Sequence, residues 1–253
     1  MDSLLIFGGA VTAGLLAGFL GLGGGALLVP ALSLFAGIPI KQAVGISLTS
    51  SIATSMAAST VFIRKDRCDL DTGMKLALAA TVGGLSGAAL SAYVSGAFLA
   101  FMFAAVLLYS GGSLALRSDN QPGAAQSHSH RAHAVFLVIA FLGGVMSGLL
   151  GVGGGIVFVP LMFLGMKLPI QRSVGTSAFI VGLTATAGAV IYFLRGELDS
   201  SLEILPAVVV GMIVGARLGG LLGVRAKSRV IRVIFAALLV YMSYRMITLG
   251  LEG

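Results

Sequence analysis

The sequence predicts an all-α integral membrane protein made of two repeats with inverted topology and about ten helical segments, some short or broken. Three observations predict it. Apolar residues make up 57% of the 253 residues and charged residues only 10%, against about 25% charged in ordinary soluble domains. The apolar runs are continuous rather than alternating, which argues against a membrane β-barrel. Residues 14–47 and 144–177 align without a gap, with 15 of 34 positions identical. Mean hydropathy is +1.05. This balance excludes a soluble enzyme, a disulfide scaffold, a disordered chain and a coiled coil.

The first half divides into apolar pieces at about 3–21, 26–38, 42–63, 73–94 and 97–116. The second divides at about 134–151, 156–168, 173–194, 202–223 and 230–249. A helical span needs about 20 residues. The first piece follows Met1-Asp2-Ser3, with no positive charge, and it recurs in mid-chain. It therefore reads as a span and not a cleaved leader. The second piece of each half is short and lies between a glycine cluster and a proline, as a half-helix or a broken helix does. The polar stretch 117–133 separates an N-terminal repeat, 1–116, from a C-terminal repeat, 134–253.

Parity decides the topology. With four crossings per half, an alternative of eight spans in two four-helix repeats, the basic residues show no bias between faces. With five per half, one face collects Arg64, Lys65, Arg67, Lys75, Arg117, Arg131, Lys167, Arg172, Arg225, Lys227, Arg229 and Arg232, and the other only Lys41, Arg195 and Arg245. Basic loops mark the cytoplasmic side. The split predicts inverted repeats in a plasma membrane (the inner membrane of a Gram-negative cell), both termini outside and the linker 117–133 cytoplasmic. It also explains the net charge of +7 without nucleic acid.

Transporters with inverted repeats and interrupted helices place their site near the midplane at the repeat interface. The matched clusters Gly21, Gly23, Gly24, Gly25 and Gly151, Gly153, Gly154, Gly155 are the candidate breaks. Consecutive glycines interrupt a helix, and a half-helix starting after them presents amide donors and a positive dipole end to an anion. Pro30 and Pro160, each after a valine, lack an amide and favour local unwinding. Close helix packing is the competing role for such glycines. Ser47 and Thr54 match Ser177 and Thr184, and a spacing of seven puts each pair on one helix face. Thr49, Ser50, Ser51 and Thr176 lie nearby. Hydroxyls can donate to sulfonate, sulfite or carboxylate oxygens. Arg217 falls inside the fourth piece of the second half, where it either meets substrate or snorkels to the surface.

Other residues carry less. His128, His130 and His133 belong to the linker, and Asp66, Asp69 and Asp71 share a loop with Arg64, Lys65 and Arg67. Both groups read as solvated. Cys68 is the one cysteine, so no cysteine-based metal site is expected, and no cofactor is expected either. Gly84-Leu-Ser-Gly87 matches a short serine-protease motif, but no histidine lies in a span to act as base. The expected partners are a small anionic substrate and membrane lipid, with oligomeric state left open. A passive anion channel would share all these features.

The repeated Gly-x-Gly-Gly-Gly-x-x-x-Val-Pro motif, together with Val44–Ser47 and Val174–Ser177, resembles the TauE/SafE family of sulfite and organosulfonate exporters. The resemblance covers nearly the whole chain. It implies transport of small sulfur-containing anions such as sulfite, thiosulfate or sulfoacetate, with other small organic anions as the alternative; an enzyme is not expected.

Overall fold

The structure, a computed structural model, describes residues 3–35, 37–115, 130–197 and 204–252. The first repeat comprises α1 (Ser3–Leu20), α2 (Gly25–Phe35), α3 (Ile40–Arg64), α4 (Leu70–Leu90) and α5 (Gly96–Ala115). The second comprises α6 (His130–Leu150), α7 (Gly155–Pro160), α8 (Ile170–Leu194), α9 (Leu205–Arg225) and α10 (Ser228–Glu252). A π-helical turn, Leu161–Gly165, extends α7. Helices α3, α4, α8 and α9 are each long and apolar enough to cross a membrane alone. His128 and the linker up to residue 129 lie outside the described residues, while His130 and His133 fall in the first turns of α6.

The same prolines start the same helices in both repeats. Pro39 precedes α3 at φ −52° and ψ 137°, and Pro169 precedes α8 at φ −54° and ψ 142°. A proline cannot continue the preceding helix, and its fixed φ suits the entry to the next. On the loop before α4, Asp69 caps the helix, its carboxylate accepting from the Thr72 amide at 3.1 Å and the Thr72 hydroxyl at 2.9 Å. Asp71 pairs with Lys75 one turn on, at 2.6 Å. The acidic loop cluster is thus engaged in capping and surface pairing.

Glycines set the packing and reveal the direction of each helix. Gly14 and Gly18 of α1 lie against the backbones of Met212 and Ala216 of α9, so these helices run parallel. Gly144 and Gly148 of α6 lie likewise on Ala80 and Gly84 of α4. Each repeat therefore seats its first helix against the fourth helix of the other. Helices α3 and α8 cross the centre in opposite directions, with Gly175 on Phe62, Gly182 on Ser55 and Gly188 on Leu48. Equivalent helices of the two repeats are antiparallel, which is the inverted relation expected from the basic residues.

Side-chain bonds fix which ends share a face. On one face the Asp69 amide donates to Thr176 Oγ1 at 2.8 Å, and Gln171 Nε2 donates to the Ala226 carbonyl at 3.3 Å. Arg172 stands 3.9 Å from Asp66 there. On the other face Arg195 donates to the carbonyls of Ala88 and Ala89 at 2.8 and 2.6 Å, a cation at the C-terminal, negative end of α4. Lys41 Nζ donates to the Ala92 carbonyl at 3.3 Å beside it. Helix α3 thus leaves the Arg195 face and ends on the basic one, and α8 makes the opposite journey. The eight-span alternative does not hold, because α2 returns the chain across the centre.

The glycine contacts generate a stability test. A Cβ on Gly144 or Gly219 would collide with the backbone of a facing helix, whereas Gly8 and Gly112 have nothing within 4 Å. Gly144→Ala and Gly219→Ala should each destabilise the protein by about 1–3 kcal/mol. Gly8→Ala and Gly112→Ala should leave the melting temperature in detergent unchanged or raised.

Candidate functional site

The chain breaks twice inside the bundle. Gly21, Gly23 and Gly24 have φ of +69°, +74° and +99°, and Gly151, Gly153 and Gly154 have φ of +72°, +73° and +83°. Only glycine visits this region without strain. Each glycine turn doubles the chain back and launches a short helix from the interior. Helix α2 has 11 residues, so it rises about 16 Å, half of a hydrocarbon core. Irregular backbone at this depth must be buried in protein, and every residue from Ala17 to Pro30 is buried.

The two turns meet backbone to backbone. A Cβ on Gly155 would lie 2.6 Å from Leu22 Cα and 2.7 Å from the Gly21 carbonyl oxygen, and one on Gly25 would meet the Gly151 carbonyl and Val152. These two glycines serve the crossing itself. The freed carbonyls are satisfied across the repeat interface. Ser47 Oγ donates to the Gly151 oxygen at 2.7 Å, and Ser177 Oγ donates to the Gly21 oxygen at 3.0 Å. Both serines are fully buried. Each repeat thus clasps the other's broken helix with an equivalent residue.

The other hydroxyls matched between the repeats are engaged too. Thr54 Oγ1 donates to the Ser50 carbonyl at 2.7 Å, and Thr184 Oγ1 donates to the Ile180 carbonyl at 3.0 Å. A hydroxyl carries one proton, so none of these four has a donor left for an anion. Thr54 still faces the site, with its oxygen 3.7 Å from the position of a Cβ on Gly24. Thr184 instead packs on α4, its methyl group 3.0 Å from where Gly84 would carry a Cβ.

The free donors are other serines of α3. Ser50, Ser51 and Ser55 are at most 1% exposed, and their hydroxyls have no hydrogen-bond partner. Ser55 Oγ lies 3.2 Å from where Gly23 would carry a Cβ, and Ser51 Cβ lies 3.8 Å from the same point on Gly153. Helical hydroxyls commonly donate back to the preceding turn, as Thr49 and Thr60 do here. These three do not, and an unpaired buried donor costs about 1–3 kcal/mol. The sequence offered a signal: Ser47, Ser51 and Ser55 are four apart and so share a face. Ser55 escapes the repeat comparison because its counterpart is Ala185. On α6, Ser147 also has an unpartnered hydroxyl, beside a cavity of about 10 Å³ bordered by Gly154.

Arg217 is not part of this assembly. It is exposed on the outer side of α9, while Gly215 and Gly219 of that helix lie on α1. Among the described residues, no group of three His, Cys, Asp or Glu side chains could hold a metal ion. The unpartnered donors placed at the turns are the hydroxyls of Ser51 and Ser55, which carry no charge.

The two classes of serine separate in a stability assay. Ser47→Ala and Ser177→Ala each strip a buried carbonyl of its partner and should cost about 1–3 kcal/mol. Ser51→Ala with Ser55→Ala removes only unpaired hydroxyls and should leave melting unchanged or raised. Thermal denaturation in detergent distinguishes the outcomes.

Comparison with known proteins agrees with this architecture. Residues 6–246 match the family model "Sulfite exporter TauE/SafE". The "Probable membrane transporter protein YunE" of Bacillus subtilis is 27% identical over 95% of this chain and 97% of its own. YdhB of the same organism, with the same description, is 31% identical over 81% of this chain and 84% of its own. The Arabidopsis thaliana "Sulfite exporter TauE/SafE family protein 6" is 35% identical over 39% of this chain and 23% of its own. No solved structure matches the chain. The motif match, the repeat architecture and these relatives lead to one conclusion: the chain belongs to the TauE/SafE family and is a membrane transporter.

Proposed function

We propose that this transporter exports small sulfur-containing anions, such as sulfite, thiosulfate or an organosulfonate like sulfoacetate, through the crossing of the two glycine turns. The observation that carries this reading is the set of unpartnered hydroxyls of Ser50, Ser51 and Ser55, on the helix facing Gly23 and Gly153. A sulfur oxyanion only accepts hydrogen bonds, and several accessible oxygens can meet several donors at once. Hydroxyls and helix-start amides hold such an ion by dipoles. With no fixed cation in the centre, binding stays weak enough for release.

The direction of transport follows from orientation. The face carrying Arg64, Lys65, Arg67, Arg172 and Arg225 is assigned to the cytoplasm by the basic-loop rule. An inside-negative potential then drives an anion outward with about 2.3 kcal/mol per charge per 100 mV. Export needs no proton-carrying side chain on this account. A reporter fused after Gly123 should read as cytoplasmic, and one at either terminus as external; the reverse pattern overturns the orientation.

Flux into liposomes tests the substrate class. Sulfite, thiosulfate, sulfoacetate, taurine and small carboxylates are compared in parallel. Saturable flux of the sulfur anions with trans-stimulation is expected, reduced at least about tenfold by Ser51→Ala with Ser55→Ala, in proportion to two lost hydrogen bonds. Ohmic single-channel current would favour a passive channel. Equal flux in the double variant would remove the serine site.

A further inference from the structure

The two repeats match in their turns and clasps but not in the lining between them. At an offset of 130 residues, Ser50, Ser51 and Ser55 of α3 correspond to Ile180, Val181 and Ala185 of α8. All six are buried. Three hydroxyls on one helix thus correspond to three hydrocarbon side chains on the other, and Ser51, Ser55 and Val181 are the ones that meet at Gly23 and Gly153. Val181 holds the central position. Its Cγ1 is the nearest atom to the place of a Cβ on Gly23 and also on Gly153, with its own Cβ 3.3 Å and 3.6 Å from those points. One branched side chain therefore sits between the turns of both repeats, where the repeat relation alone would put a hydroxyl. Met212 adds a second apolar element, its terminal methyl lying against Gly24.

We infer that Val181 is the specificity-determining residue of the central site, selecting anions with one oxyanion head and one apolar side over anions charged or hydrated all round. This rests on the anion-export reading above and narrows it. The unpartnered hydroxyls of Ser51 and Ser55 take the head from the α3 side. Val181 at Gly23 and Gly153, and Met212 at Gly24, offer only hydrocarbon. A short alkanesulfonate matches both walls. Thiosulfate, a dianion with polar atoms at each end, must leave one end against an apolar wall without a donor, which is costly. Val181 holds neither the substrate's charge nor a proton; it acts by occupying space and withholding a donor.

The test uses the full chain in proteoliposomes and compares ethanesulfonate with thiosulfate in one preparation. Wild type should carry ethanesulfonate faster. Val181→Ser restores the hydroxyl that the repeat relation implies and should lower the ethanesulfonate-to-thiosulfate ratio about tenfold or more, the scale set by supplying or withholding a hydrogen bond in a binding pocket. Val181→Ile keeps the wall apolar and should preserve the preference. A melting curve for each variant shows that it is folded. An unchanged ratio in folded Val181→Ser, or a wild type that prefers thiosulfate, overturns the role of Val181 while leaving anion export intact. A wild type that carries neither anion, nor any other sulfur anion, overturns the export reading and this inference together.

Discussion

A helix broken inside a bilayer exposes backbone groups where no water can reach them, and the rest of this structure follows from how those groups are satisfied. The carbonyls of Gly21 and Gly151 are released at the two turns, and each accepts a hydrogen bond from a buried serine of the other repeat. Neither half could bury its break alone in this way. The requirement explains why the repeats interlock, with α1 seated on α9 and α6 on α4. It also explains why α3 and α8 cross at the centre, since they carry the two serines.

Close approach is the second demand. Two irregular turns can meet only if neither has a side chain at the crossing, and Gly25 and Gly155 provide that. The positive φ at Gly23, Gly24, Gly153 and Gly154 then turns the chain sharply enough to start a new helix at mid-depth. One cluster thus does two jobs. Some of its glycines permit the contact between turns, and others permit the conformation. The transport reading depends on what this leaves over: the unpartnered hydroxyls of Ser51 and Ser55 beside the turns.

The pseudo-symmetry is strict where the backbone must be satisfied and relaxed where substrate would lie. Ser47 and Ser177 are identical in kind and in bond, as are the prolines that open α3 and α8. The short helices already diverge, for α2 runs through Pro30 to Phe35 while α7 passes into a π-helical turn after Pro160. The lining diverges further, with Ser51 opposite Val181. Inverted repeats supply two ways for the bundle to face, but a substrate with distinct ends is better served by unlike walls.

The helical membrane class, the two-fold repeat and the inverted topology were legible in the sequence, because each rests on a chain-wide pattern of apolar runs, recurring motifs or basic loops. The glycine breaks were legible for the same reason, as the same glycine cluster followed by Val-Pro recurs in both halves. The roles of single hydroxyls were not. Ser47, Thr54, Ser177 and Thr184 stood out because they recur, yet recurrence marks what both halves need, and both halves need their own backbone satisfied. Ser55 has no repeat counterpart to draw attention to it, and only the fold brings it beside Gly23 with its proton free. Arg217 shows the same limit in reverse: its position within a span is a fact of sequence, but the exposed side it occupies on α9 depends on which face packs against α1. Local sequence determines where a chain can break and where it must cross. Which proton remains unpaired, and which wall it faces, is decided only when two distant halves are brought together, because a hydrogen bond depends on ångström distances between residues more than 100 positions apart.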